Sequence, residues 1–264
     1  MNRLSITKIV FLVFLIIGTI YILGKQKPYI TNSGKIFGTY YNITYSSDID
    51  LHNEIKNTLM QVDKSLSPFN KQSIITAINN NADATPDSMF IHVFTLAQEI
   101  STKTAGAFDI TVAPLVNAWG FGFKKGIEPD SATIEEMKSY TGYQKISLVD
   151  GKIVKEHPQT MLNCSAIAKG YGCDAVARIL ESKGINDYMV EIGGEVTLKG
   201  VNSKDSRWVI GVNKPVEDAI QSNELQTVLQ LTDCSMATSG NYRNFRFIDG
   251  KNTHTPSTPS AVTP

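Results

Sequence analysis

The stretch Met161 to Gly184, MLNCSAIAKGYGCDAVARILESKG, passes from an apolar pair through small polar residues into a helical pattern. Met161 and Leu162 read as the end of a strand. From Ser165 to Lys183, Ile167, Tyr171, Ala175, Ile179 and Leu180 recur on one helix face, and Gly184 suits a left-handed C-cap. A strand that runs straight into a helix leaves the first helical N–H groups without intrahelical partners. It aims them, with the positive end of the helix dipole, at whatever lies above, so the corner suits an anion. Lys169 adds a formal charge in the first turn. The same residues also read as a helix capped by Asn163 or Ser165, with Lys169 a solvated lysine.

Short strand-like runs follow the corner: Tyr188–Ile192, Val196–Leu198, Trp208–Val212, Thr227–Leu231 and Phe245–Ile248. Upstream, Lys35–Tyr45 is aromatic and β-branched and reads as one strand. Leu51, Ile55, Leu59, Val62 and Leu66 keep helical spacing, and Pro86-Asp87-Ser88 opens a second helix carrying Phe90, Val93, Phe94, Ala97 and Ile100. Thr133 and Glu136 suit a capping box. Strands and helices are grouped rather than interleaved one for one. The pattern therefore predicts an α+β fold rather than a doubly wound sheet.

Three further blocks carry possible chemistry. Gly106–Gly122 (GAFDITVAPLVNAWGFG) reads as a turn, a short buried strand and a Pro-started segment rich in aromatics, either a face for a flat ring or a core cluster under a loop. Glu191-Ile192-Gly193-Gly194-Glu195 is a hairpin by default. Ala237–Arg243 (ATSGNYR) sets hydroxyls beside a glycine, with His254 beyond the turn at Asp249-Gly250. Of the 4 histidines, His52, His92 and His157 read as structural or exposed, which leaves His254 as the one near a candidate site.

Composition excludes several classes. With 42% hydrophobic and 19% charged residues over 264 positions, the chain is not disordered. The 25 basic and 25 acidic groups cancel, and no basic stripe marks a nucleic-acid surface. Cys164, Cys173 and Cys234 are too few to staple a chain of this length, and no Cys-x-x-Cys marks a zinc site. Nucleophile-elbow, Walker and dinucleotide-fold motifs are absent. At the N-terminus, the uncharged run Ile9–Gly24 is flanked by Arg3, Lys8, Lys25 and Lys27. A helix of that length spans about 24 Å, slightly short of a hydrocarbon core of about 30 Å, and reads as an uncleaved signal anchor, the alternative being a buried core helix. We expect residues 1–24 to be this anchor, 25–34 a linker and 35–255 the body, with 256–264 a Ser/Thr/Pro tail.

Taken together, Phe37-Gly38-Thr39, Ser73–Asn79, Gly106–Gly122, Ala166–Asp174, Gly193-Gly194 and Thr238–Tyr242 resemble the ApbE family, the FAD:protein FMN transferases. The resemblance implies T-fold-like mixed sheets and helices around a central flavin cleft, outside the cytoplasmic (inner) membrane. It implies a Mg²⁺-dependent reaction that splits the FAD diphosphate, esterifies FMN to a Thr or Ser hydroxyl of a partner flavoprotein, and releases AMP. That partner is expected to be a subunit of a membrane redox complex. Relatives that hydrolyse FAD to FMN and AMP make a pyrophosphatase the alternative, and a membrane-tethered flavin binder without turnover is a second. The family's site residues carry over to Phe37, Phe69, Ala107, Phe108, Asp109, Asn163, Lys169 and Thr255 for the flavin nucleotide. Ala166 would offer an oxygen to the metal, and His254 would orient or deprotonate the acceptor hydroxyl.

Phe37 stands where the family usually has Met, Phe69 where it often has Tyr, and Asn163 where many relatives carry Asp. After Thr255 the run Pro-Ser-Thr-Pro-Ser-Ala-Val-Thr-Pro replaces the family's His-x-Ile-Asn/Asp-Pro-x-Thr-Gly-x-Pro continuation. One back-translation of the tail, read from its third base, gives Ile-Asn-Pro-Lys-Cys-Gly-Tyr-Pro. We expect a reading-frame shift after Thr255, the loss of a later metal-binding segment, and impaired transfer.

Overall fold

Alternation along the strands sets the architecture. In the computed structural model, which describes residues 3–25, 28–124, 126, 129–214, 224–239, 245–248 and 251–254, Tyr41, Ile43 and Tyr45 of one strand and Tyr188, Val190 and Ile192 of its neighbour are buried at every second position. Side chains are described within these ranges except at 3–5, 20–25, 245–248 and 251–254. The helices are α1 (Arg3–Lys25), α2 (His52–Leu66), α3 (Ile74–Asn79), α4 (Ser88–Lys103), α5 (Ala113–Ala118), α6 (Ser131–Ser139) and α7 (Ala168–Ser182). Strands β1 (Tyr29–Ile36), β2 (Thr39–Ser46), β5 (Tyr188–Ile192), β6 (Glu195–Lys199) and β9 (Cys234–Met236) form an antiparallel 5-stranded sheet in the order β1-β2-β5-β6-β9. Three two-stranded ribbons complete the described strands: β3 (Ile146–Val149) with β4 (Lys152–Lys155), β7 (Trp208–Asn213) with β8 (Leu225–Leu231), and β10 (Phe245–Ile248) with β11 (Lys251–His254). The fold is α+β, as the grouped strands predict.

Helices α2 and α7 lie against the buried face of the sheet. Ile55 and Leu59 of α2, with Cys173, Val176, Ala177 and Leu180 of α7, close a core over Tyr41, Ile43, Val190 and Ile192. The C-terminal half of α2 turns Val62 and Leu66 into a second core with Ile75, Phe90, Phe94, Leu162 and Cys164. Phe37 packs against both. On the other sheet face, Val196 and Leu198 meet Trp208 and Ile210 of the β7–β8 ribbon.

Several local expectations change. Lys35–Tyr45 is not one strand: Phe37 (φ +51°) and Gly38 (φ +74°) form a two-residue turn between β1 and β2. Positive φ at both turn positions matches the right-handed twist of a tight hairpin, and Phe37 offsets its strain by packing on two cores. Strand β1 also takes in Tyr29–Gly34, which the sequence reading gives to a linker. Asp130, not Thr133, caps α6, its carboxylate accepting from the Thr133 N–H at 2.8 Å. The short buried strand expected within Gly106–Gly122 and the strand end expected at Met161-Leu162 shrink to one parallel bridge, Val112 to Met161. Helix α1 exposes Ile9, Phe11, Phe14 and Ile17, and among the described residues no helix is long and apolar enough to cross a membrane.

The corner before α7 is pinned from a distance. Asn79, buried at the end of α3, donates to the Leu162 carbonyl at 2.9 Å and accepts from the Leu162 N–H at 2.7 Å. Removing that amide strands two buried backbone groups, each worth about 1–3 kcal/mol. Asn79→Ala is therefore expected to lower unfolding stability by about 3 kcal/mol with the urea m-value unchanged, read by equilibrium denaturation. A loss under about 0.5 kcal/mol, the range of an ordinary surface substitution, contradicts the pinning.

Candidate active site

The two positive-φ turns lie at the same end of the sheet. Gly193 (φ +56°) and Gly194 (φ +96°) join β5 to β6, and the Gly193 N–H donates to the Tyr40 carbonyl at 2.9 Å, beside the Phe37-Gly38 turn. A Cβ on Gly193 would lie 2.7 Å from the Thr39 methyl, and one on Gly194 would lie 3.1 Å from Thr238 Oγ1. Both steric room and backbone conformation thus call for glycine, and Thr238 of the fourth block runs past the turn.

Between this end of the sheet, the start of α7 and the loop after α2 opens a cleft of about 590 Å³, in the size range of small-molecule sites. Phe37, Gly38, Leu66, Pro68, Phe69, Ser165, Ala168 and Lys169 line it. Phe69 is 66% exposed, and its ring meets that of Phe123 edge-on with centroids 6.3 Å apart. The Phe69 loop is held from below: Asn70 Nδ2 donates to Asp63 Oδ2 at 2.7 Å, and Ser73 Oγ donates to the Ser67 carbonyl at 2.7 Å. An exposed aromatic on a tethered loop, beside a second ring, is a stacking surface for a flat heterocycle.

The opposite wall is polar. Helix α7 starts at Ala168, three residues later than the Ser165 start expected from periodicity, because Asn163 to Ile167 form a turn. Asn163 Oδ1 accepts from the Ser165 N–H at 2.8 Å, and the Ile167 and Ala168 N–H groups both bond the Cys164 carbonyl. Ile167, in the N-cap position, supplies no side-chain cap. Ser165 and Ala166 stand exposed in the turn. Lys169 does not project freely: Nζ lies 2.7 Å from Glu195 Oε2 and donates to the Gly193 carbonyl at 3.2 Å. The Glu195 contact is a charge contact rather than a well-aligned hydrogen bond.

Of the residues singled out in the sequence, Phe37, Phe69 and Lys169 line the cleft. Asn163 and Ala166 build its corner without appearing among the described lining residues. Ala107 lies in the loop after α4, and Phe108 packs against the second core. Asp109 is buried and faces its own loop: Oδ1 accepts from the N–H and hydroxyl of Thr111, each at 2.7 Å, and Oδ2 accepts from the Tyr143 N–H at 2.8 Å. Its carboxylate organises the loop. His52 bonds the Tyr41 hydroxyl and His92 packs on Tyr171, so both are structural as expected. For His254 the backbone alone is described, opposite Phe245 in the β10–β11 ribbon. Thr255, with Gly240 to Arg243, lies outside the described residues.

Sequence reading missed Phe123 and the pairing of Glu195. Phe123 stands one residue past the aromatic block, so continuing the block would have found it. No local signal joins Lys169 to Glu195. Among the described residues, no group of three or more His, Cys, Asp or Glu side chains is placed to hold a metal.

The ApbE family model matches residues 37–264. The chain belongs to the ApbE family. It is similar to the FAD:protein FMN transferase of Vibrio cholerae, 34% identical over 240 residues, covering 86% of this chain and 71% of that protein. The Haemophilus influenzae FAD:protein FMN transferase is 35% identical over 244 residues, covering 86% of this chain and 70% of that protein. Among solved structures, the flavin transferase ApbE from Vibrio cholerae superposes with a TM-score of 0.78 at 32% identity, covering 89% of this chain and 77% of that one. The apo form of Pseudomonas stutzeri flavinyl transferase ApbE gives 0.77 at 28% identity, covering 89% of this chain and 76% of that one. The mixed α+β ApbE fold is therefore the fold of this chain.

Cys164 and Cys173 are buried and are not nucleophiles. Burial pushes the Cys164 thiol up to about 12. Cys173 is raised first by burial and then by the carboxylates of Asp174, Glu195 and Glu191. The thiolate is the reactive form, so both stay protonated and inert at neutral pH, while Cys234 is exposed. Iodoacetamide at pH 8 is expected to add one carbamidomethyl group to the folded chain, at Cys234, and to reach Cys164 and Cys173 only in urea, as read by peptide mass spectrometry. Alkylation of Cys173 in the folded chain contradicts the assignment.

Proposed function

We propose that the chain transfers FMN from FAD to a Ser or Thr hydroxyl of a partner flavoprotein and releases AMP. The observation that carries this reading is that Phe69, edge-on to Phe123, and Lys169, in the first turn of α7, line one cleft. A flavin ring on Phe69 and Phe123 places its phosphate chain toward Lys169 and the Asn163–Ala168 turn.

The acceptor oxygen bonds to the FMN phosphorus as the bond from that phosphorus to the bridging oxygen breaks. The bridging oxygen leaves with AMP, and the hydroxyl proton passes to a base, the role assigned here to His254. Such a displacement asks the protein for positioning and charge stabilisation and for little covalent chemistry. Lys169 supplies positive charge beside the diphosphate. Mg²⁺ would be held in part by the Ala166 carbonyl, with oxygens of the substrate phosphates as further ligands, and would supply charge neutralisation on the diphosphate. The apolar run Ile9–Gly24 supports a tether that holds the body at the outer face of the cytoplasmic membrane. There it would meet an acceptor subunit of a membrane redox complex.

The test incubates the purified chain with FAD, Mg²⁺ and a Thr-bearing acceptor flavoprotein, and follows AMP by chromatography and bound flavin by in-gel fluorescence. AMP is expected in equal amount to covalent flavin. Lys169→Met is expected to slow turnover about 100-fold, the scale of one lost charge-stabilising donor, and Phe69→Ala to raise KM for FAD about tenfold. AMP with free FMN overturns transfer in favour of hydrolysis, and no AMP at all overturns both.

A further inference from the structure

Three residues on one face of β6 each meet α7: Glu195 meets Lys169, Thr197 donates to Asp174 Oδ1 at 3.1 Å, and Lys199 meets Glu181 at 2.6 Å. The last two pairs lie away from the cleft and are half-exposed or exposed, as a polar seam under a partly covering helix should be. The first differs. Glu195 has a side chain only 14% exposed, with Oε2 fully buried and lacking a well-aligned hydrogen-bond donor, yet Oε2 lies 2.7 Å from the Lys169 ammonium. Glu191, the nearby carboxylate, is already engaged by the Gly194 N–H at 2.9 Å and by Asn42. Burying a carboxylate against one ammonium costs desolvation that a surface pair avoids, and such pairs contribute little net stability.

We infer that Glu195 is a positioning residue for the transfer reaction: with the Gly193 carbonyl it holds the Lys169 ammonium at the cleft wall before the diphosphate arrives. This rests on the transferase reading above. A lysine side chain has many rotamers to lose when it is ordered, and a clamp that orders it in advance removes that cost from the reacting complex. The clamp has two parts, a carboxylate and a backbone carbonyl, so the ammonium keeps a third donor position for a phosphate oxygen. The Gly193-Gly194 turn acquires a reason beyond its φ values: it brings an oxygen and a carboxylate to the lysine from one rigid hairpin.

The test is a double-mutant cycle on Glu195→Gln and Lys169→Met, with kcat and KM for FAD measured by covalent flavin formation and folding by thermal melting. Glu195→Gln keeps the shape and removes the charge. It is expected to lower kcat about tenfold with KM changed less than threefold and melting unshifted, and to have no further effect in the Lys169→Met background. Glu195→Asp, which keeps the charge on a shorter arm, is expected to recover part of kcat. If Glu195→Gln lowers KM and leaves kcat unchanged or raised, Glu195 only neutralises the lysine and the inference fails. It also fails if the two substitutions act independently, or if only melting changes. An inactive unsubstituted chain refutes the transferase reading itself, and so is distinguishable from a cycle without coupling in an active one.

Discussion

Helix α7 lies across β5 and β6, and the rest of the site follows from the way that contact is made. The helix buries Cys173, Val176, Ala177 and Leu180 against the sheet, which fixes its axis and therefore where its first turn emerges. A virtual Cβ on Gly172 would sit 3.0 Å from the Phe37 ring, so helix and hairpin turn approach as closely as a glycine permits. Two hairpins turn at that end of the sheet, and each uses consecutive positive φ angles to do it. A looser turn at either place would separate the residues that now share one cleft.

Electrostatically the cleft is balanced rather than strongly cationic. Lys169 carries the charge suited to a diphosphate, but Glu195 and the Gly193 carbonyl already hold it. Preorganised groups of this kind act on a developing charge without having to reorient first, which is where most enzymatic electrostatic stabilisation originates. The aromatic wall has the same character. Phe69 is exposed, yet its loop is tied through Asn70 to Asp63 and through Ser73 to Ser67. Asp109 and Asn79 act one step further back, one closing the loop that begins the aromatic block and the other pinning the corner before α7.

The sequence made the elements legible where burial alternated or repeated cleanly. Tyr188–Ile192 and the helix from Leu51 to Leu66 came out nearly residue for residue, because each packs one face on a core. Periodicity could not mark the start of α7, since Asn163–Ala166 are small or polar and fit a cap, a turn or a first helical turn equally well. The Phe37-Gly38 turn was hidden because a phenylalanine at positive φ runs against local preference and is stabilised only by two distant cores. At the site, residue types pointed to Lys169 and the aromatics. What the side chains do with one another depends on pairings across the fold, so Asp109 turning inward and Glu195 facing Lys169 left no trace in local pattern.

In the proposed function the Phe69–Phe123 shelf and the Asn163–Lys169 corner grip the two ends of one flavin dinucleotide. Calorimetric titration of the purified chain with FAD, FMN and AMP in the same buffer tests it most directly. FAD is expected to bind at least about tenfold more tightly than either half, because both walls are engaged through one pyrophosphate. Equal affinity for FAD and FMN, or binding of AMP alone as tight as FAD, would contradict it.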